Sequence, residues 1–313
     1  WDHLKNHGDY GMENEVISWV ASWPGKRESR RAVGDYTLTQ KDLVEPTEFN
    51  DAVAYGGWPC DVHNPDGFWA KKKWIDYLHL PSPYPIPYRC YYSQNIENLF
   101  LAGRLISTSH IAHGSTRLIA TCAVGGQAVG TAAALCLKYN ENPRAIGTDH
   151  IKELQQQLLK NDAYIPKAQN EDILDLARFA IVSSPSEYRD DFGQFYEAKK
   201  VISGISRGND SDENLWMSQP KNKDNPWGIH FSWNSPVNIG CVQLTFDTMI
   251  RERRFFDKPF LGPIPTCVRK YRIQILTKGE WLQVAEVSGN YLRHNIVEFP
   301  VQNTKELKIC IDE

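Results

Sequence analysis

The chain has 313 residues, 41% of them hydrophobic and 23% charged, with a net charge of −3. That length and balance describe a globular chain of about two domains and exclude the bulk electrostatic attraction of a nucleic-acid binder. The 7 cysteines are odd in number, widely spaced and without a C-x-x-C pair, which argues against a disulfide framework and against a metal site, and no apolar run reads as long enough to span a bilayer.

Residues 1 to 97 are rich in Trp, Tyr, Pro and charge, with little clean periodicity. Asp35 to Thr39 reads as a short strand, after which Thr39 caps a helical turn toward Asp42. The four prolines Pro81, Pro83, Pro85 and Pro87 predict an extended loop. Asn98 to Ala102 reads as a buried strand closing on Gly103, followed by a polar loop with His110 and His113. The helix after it carries Gly126, Gly130 and Ala134 at steps of four, with Cys122 one turn earlier. Such a face admits another backbone or a flat ligand at close range. The N-terminus of such a helix favours an anion or an electron-rich carbonyl edge.

Further on, His150 to Lys160 reads as an amphipathic helix with Ile151, Leu154, Leu158 and Leu159 on one face. Asp172 to Arg178 reads as a short linker helix. From Phe179 onward the pattern is strands and turns. Strands are predicted at 240–246, 269–276, 281–287, 293–299 and 307–311, with turns at Lys278-Gly279 and Gly289-Asn290. Short strands without intervening helices predict an all-β sandwich. The chain opens on Trp1-Asp2-His3 and closes on a strand-like run, as a piece of a longer protein would.

The run Asn98-Leu-Phe-Leu-Ala-Gly-Arg104, then His110, Gly114 and Arg117, then Gly126-Gln-Ala-Val-Gly-Thr-Ala-Ala-Ala134, resembles the C-terminal flavin-contacting segment of FAD-dependent oxidoreductases. Pro24 to Thr39, Gly57 to His63 and Tyr84 to Arg89 resemble one bacterial branch of them, sometimes labelled xanthan lyases. The resemblance covers roughly residues 1–170. It implies FAD as cofactor, contacted by Gly103, Arg104, Ser107, Arg117, Thr121, Gly126, Gln127 and Gly130. The family's G-x-G-x-x-G strand–turn–helix does not occur in these residues. The expectation is therefore a half-site, with the ADP half of FAD held by a missing N-terminal segment. Blocks between 179 and 313 resemble the discoidin-type, galactose-binding-like jelly roll.

The expected fold is multidomain α/β plus all-β. Residues 1–172 would form the C-terminal part of a FAD/NAD(P)-binding-type α/β domain: substrate region 1–97, flavin-contacting segment 98–137 and helical tail 138–172. Residues 173–313 would form the jelly-roll β-sandwich.

Among chemical candidates, His63 follows Asp61, which could orient it as a base; a neighbouring carbonyl could do the same. His110 and His113 are equal candidates beside the flavin. As an i, i+3 pair they lack further metal ligands. Arg31, with Arg27 and Arg30, either clamps an anionic substrate group or pairs on the surface with Glu28. Tyr84, Tyr88, Tyr91 and Tyr92 either line a sugar-binding wall or pack beneath the proline-rich segment. Trp216 and Trp227 read as core and rim aromatics.

Two functions follow. One is part of a FAD-dependent oxidoreductase that oxidises an alcohol-type, saccharide-like small molecule by hydride transfer. The alternative is a carbohydrate- or partner-binding module with a vestigial flavin half-site.

Overall fold

A computed structural model describes residues 1–23, 30–45, 47–73, 75–205, 207–208, 214–220, 226–248, 264 and 266–313. Arg27 and Glu28 of the basic cluster lie outside them. The chain divides into two compact units, Trp1–Arg31 and Ala32–Glu313. The first holds one short helix, α1 (Asp2–Asn6).

The larger unit begins with α2 (Gln40–Val44). The Asp42 carboxylate accepts from the Thr39 amide and hydroxyl, both at 2.8 Å, so the predicted cap forms. The expected strand before it reduces to a single bridge between Leu38 and Thr108. Next come β1 (Ala52–Gly56), β2 (Cys60–His63), β3 (Ile75–Leu78) and β4 (Tyr84–Pro87). They pair as two antiparallel ribbons, β1 with β4 and β2 with β3. Pro85 and Pro87 are accommodated because β4 has only one partner strand.

The expected strand at 98–102 does not form. Leu101 and Ser93 donate to Tyr91 and Leu99 carbonyls, so this stretch folds back on the preceding loop instead of entering a sheet. The loop expected to hold the two histidines is a helix, α3 (His110–Thr116), capped by the Ser109 hydroxyl. Then follow α4 (Ile119–Tyr139), α5 (Pro143–Asp149) and α6 (Ile151–Lys160). α4 packs against β1, α5 and α6. An 18-residue window of its 21 residues has a mean hydropathy of 1.5, long and apolar enough by length and composition to cross a membrane. That overturns the expectation that no run reaches this length. Alanine, valine and leucine supply most of the hydropathy, and the buried Ala128, Ala132 and Leu135 serve a helix-and-ribbon core with Leu38, Ile86, Tyr88, Leu154 and Leu158.

The expected linker helix shrinks to a 3-10 turn at Leu176–Phe179. Beyond it lie β5 (Ile181–Ser183), β6 (Tyr188–Arg189), β7 (Phe195–Tyr196), β8 (Gly228–Thr245), β9 (Tyr271–Thr277), β10 (Glu280–Val287) and β11 (His294–Ile311). The main sheet runs β10-β9-β11-β8-β5 and is antiparallel throughout. The two strands predicted at 293–299 and 307–311 are one strand of 18 residues. Its register against β8 breaks at Glu298/Gln302 and again at Thr304/Glu306. These breaks bend the long pair so that Ile239 and Phe246 share a core with Ile273, Ile275 and Ile309. The result is a β-sandwich following an α/β region.

Side-chain ties join the two regions. Arg293 forks onto Asp162 at 2.7 and 3.3 Å, with both side chains mostly buried. Trp233 donates to the Leu176 carbonyl at 2.8 Å, and Arg207 to the Tyr55 hydroxyl at 3.2 Å.

Candidate active site

The β2–β3 ribbon lies against α3 because Gly114 leaves room for it. A Cβ at Gly114 would stand 2.8 Å from the Asp61 carbonyl oxygen. This contact brings Asp61 beside the C-terminus of α3. Arg117 Nη2 reaches Asp61 Oδ2 at 3.1 Å, and His63 Nε2 lies 3.1 Å from Asp61 Oδ1. Asp61 and Arg117 are each 17% exposed, His63 41%. The Asp61 carboxylate thus pairs with the Arg117 guanidinium, and the His63 imidazole lies within ion-pair distance of Asp61 Oδ1, a buried oxygen that accepts no hydrogen bond among the described residues.

Arg117 also ends α3, and Leu118, the next residue, begins α4. No side chain caps α4, so its first-turn N–H groups are not met by a capping side chain. Immediately before them, the Thr116 hydroxyl is buried with no partner among the described residues. Along the helix, a Cβ at Gly126 or Gly130 would meet nothing within 4 Å. Gly103 has φ +67 and the same open space, in a 3-10 turn that packs on α4. This open strip, an uncapped N-terminus and an orphaned hydroxyl fit the ring half of a flavin.

The other expected contacts distribute unevenly. Thr121 is buried in the first turn of α4. Gln127 is exposed and donates to the Asn161 carbonyl at 3.4 Å. Arg104 is exposed in the Gly103 turn. Ser107 is 1% exposed, and its hydroxyl lies 3.1 Å from Thr37 Oγ1. Among the candidate bases, His110 is exposed at the start of α3, whereas His113 is buried at 3%. Arg31 closes the N-terminal unit.

The sugar-wall reading of the four tyrosines does not hold. Tyr84, Tyr88, Tyr91 and Tyr92 are all below 5% exposed. Tyr84 hydrogen-bonds Ser115 at 2.7 Å and Tyr88 donates to the Pro143 carbonyl at 2.8 Å. They are the packed floor under the ribbons, and burial pushes the hydroxyl pKa values upward. Tyr77 on β3 does reach solvent, 50% exposed and directly opposite Asp61, as do Trp58 and Trp69 on the neighbouring segments. Sequence reading passed over Tyr77. The alternation Ile75, Tyr77 facing Asp61, His63 was its only signal. In the sandwich, Trp216 and Trp227 donate to the Ser186 and Gln219 carbonyls at 3.1 and 2.8 Å.

Among solved structures, SpGH29 is similar at 15% identity over 52% of this chain and 28% of that one, with TM-score 0.30. The module CpGH89CBM32-5 from Clostridium perfringens, solved with GalNAc-β-1,3-galactose, is similar at 16% identity over 44% and 88%, TM-score 0.30. The family 32 module of C. perfringens NanJ, solved with galactose, is similar at 19% identity over 44% and 86%, TM-score 0.29. No curated protein matches the chain. The model of the FAD dependent oxidoreductase family matches residues 1–158. With that match over half its length, the chain belongs to the FAD-dependent oxidoreductase family.

Proposed function

We propose that this chain forms the C-terminal part of an oxidoreductase that removes two electrons from an alcohol group of a saccharide-like small molecule. The observation that carries the reading is the Arg117–Asp61–His63 relay at the foot of α4. Bound FAD supplies the two-electron acceptor for the hydride from the substrate carbon. The residues of the chain supply the rest. His63 Nδ1 accepts the hydroxyl proton as the C–O bond becomes a carbonyl. Asp61, whose Oδ1 lies 3.1 Å from Nε2, stabilises the imidazolium that forms by its charge. Arg117 holds Asp61 in place. The N–H groups of α4, aided by its dipole, favour negative charge at that end of the strip.

Gly103, Arg104, Arg117, Thr121, Gly126, Gln127 and Gly130 are the proposed half-site for the cofactor, and a segment preceding residue 1 would complete it. Ser107 acts on the half-site only through the turn it anchors with Thr37.

The test is visible absorbance of the purified chain after incubation with FAD and desalting. A retained flavin band, lost in Gly126→Val and bleached by substrate in wild type but not in His63→Gln, supports the reading. No retained flavin, together with glycan binding, supports the vestigial-site alternative.

A further inference from the structure

The outward face of the β2–β3 ribbon has a polar lining that the relay does not use. A cleft of about 490 Å³ is lined by Lys73, Ile75, Asp76, Tyr77 and His79. Ile75 stands opposite His63 and Tyr77 opposite Asp61. Directly opposed residues of an antiparallel pair share a face, with Cβ atoms about 5 Å apart. The cleft therefore adjoins the proposed base. Among the described residues, no hydrogen bond or ion pair engages the Lys73 ammonium, the Tyr77 hydroxyl or the His79 ring, and all three side chains are exposed. The Lys71-Lys72-Lys73 run makes the Lys73 end basic, while the lining's one carboxylate, Asp76, alternates to the other face of β3 from Ile75 and Tyr77. By contrast, the positive charges nearer the core are spent: Arg117 on Asp61, Arg89 on Asp51 and Arg144 on Asp35.

Each feature selects a ligand property. A half-exposed tyrosine ring stacks on the C–H face of a pyranose. An unpaired ammonium at the cleft's edge pairs with a carboxylate. From Lys73 to His79 the chain advances six residues, at most about 20 Å in extended form, longer than a single sugar ring.

We propose that the Lys73–Tyr77–His79 cleft is the substrate-recognition wall and that it selects a short oligosaccharide bearing carboxylates, with Tyr77 stacking one ring and Lys73 pairing an acid group. The proposal rests on the oxidoreductase reading for the ring presented to His63, but binding itself needs no flavin.

The experiment uses the full chain without FAD and titrates tri-galacturonate and its methyl ester, followed by calorimetry. Wild type should bind the acid, more weakly as salt rises. Lys73→Gln should lose about tenfold toward the acid and leave the ester unchanged. Tyr77→Ala should weaken both ligands alike. Both variants are surface changes, and thermal unfolding checks that they fold as wild type does. Acid and ester bound equally, no binding by wild type, or variants that bind as wild type does would each overturn the proposal. Binding with the expected sensitivities, whether or not the isolated chain retains flavin, would keep the wall, and failure of a chain extended by the segment that completes the half-site to oxidise the ligand would refute the oxidoreductase reading alone. Flavin chemistry without acid selectivity would do the reverse.

Discussion

The α/β region and the β-sandwich treat their aromatic and small residues in opposite ways. In the sandwich, Trp216, Trp227 and Trp233 each bury a ring edge and give the indole N–H to a backbone carbonyl. On the outer face of its sheet, Trp281 lies beneath the Lys308 ammonium at 3.7 Å and near His230, which bonds Glu306 at 2.8 Å. These groups have spent their interactions on one another. In the α/β region the tyrosine floor is equally satisfied, but the layer above it is not. Gly103, Gly126 and Gly130 face open space, Thr116 keeps a buried hydroxyl without a partner among the described residues, and Tyr77 projects over a cleft. Open glycines and exposed aromatics occur in the sandwich too, at Gly193, Gly279, Gly289, Phe192 and Tyr291; the α/β region differs in gathering its open glycines along one helix and the turn packed on it.

The sharpest way to break that comparison is to truncate one tyrosine from each class. Tyr84→Ala removes a fully buried ring and its bond to Ser115, whose hydroxyl keeps the Trp58 carbonyl; it should cost about 3–5 kcal/mol in chemical denaturation. Tyr77→Ala should change stability by no more than about 0.5 kcal/mol. Equal costs would dissolve the distinction.

The tie between the regions comes next. Arg293→Ala leaves Asp162, only 12% exposed, without its partner and should cost about 3 kcal/mol. If it instead unfolds the sandwich separately from the α/β region, calorimetry will show two transitions where wild type shows one. In the sandwich, Trp227→Phe should cost about 1–2 kcal/mol for the lost bond to Gln219, with no effect on flavin retention.

Acid sensitivity should concentrate in the α/β region. Burial alone would raise the Asp42 carboxyl, but hydrogen bonds from the Thr39 amide, Thr39, Tyr36 and Thr47 outweigh it and hold the pKa below its ordinary value of 3.8. The same burial, with Asp42 as hydrogen-bond acceptor, pushes the Tyr36 hydroxyl up to about 12. A depressed carboxyl contributes stability that is fully present above the unfolded-state value and is lost as pH falls through the folded one. Asp42→Asn should therefore flatten the stability curve below about pH 4, measured by denaturation midpoints.

The smallest effect carries opposite signs for stability and function. Gly130→Ala adds a methyl group where nothing lies within 4 Å. It should stabilise α4 by about 0.5–1 kcal/mol. The same change should reduce flavin retention if the open strip is the cofactor's bed.

How much of this was legible beforehand follows from the range of the forces involved. The Thr39–Asp42 cap, the amphipathic α6 and the alternation in β8 to β10 are set within a few residues, and the sequence displays them. The pairing of Asp61 with His63 was visible because only one residue separates them. The failures share a cause. Asn98 to Ala102 has the apolar content of a strand, but among the described residues its long-range backbone bonds go to the loop at 91–93 and to no sheet. His110 and His113 sit on a helix because the Ser109 hydroxyl caps it and Gly114 lets it rest on β2. Composition could not say which tyrosines are floor and which is wall.

The sequence by itself determined the flavin-type blocks, the glycine spacing on α4 and the strand periodicity of the second region, since these depend on local backbone preference and side-chain period. Tertiary structure alone decided that Arg117 reaches back 56 residues to Asp61, that Tyr77 and not Tyr84 meets solvent, and that β11 bends to serve both halves of the sandwich core. Those outcomes depend on which surfaces are brought together and how much space remains between them, and neither quantity is written in any short stretch of the chain.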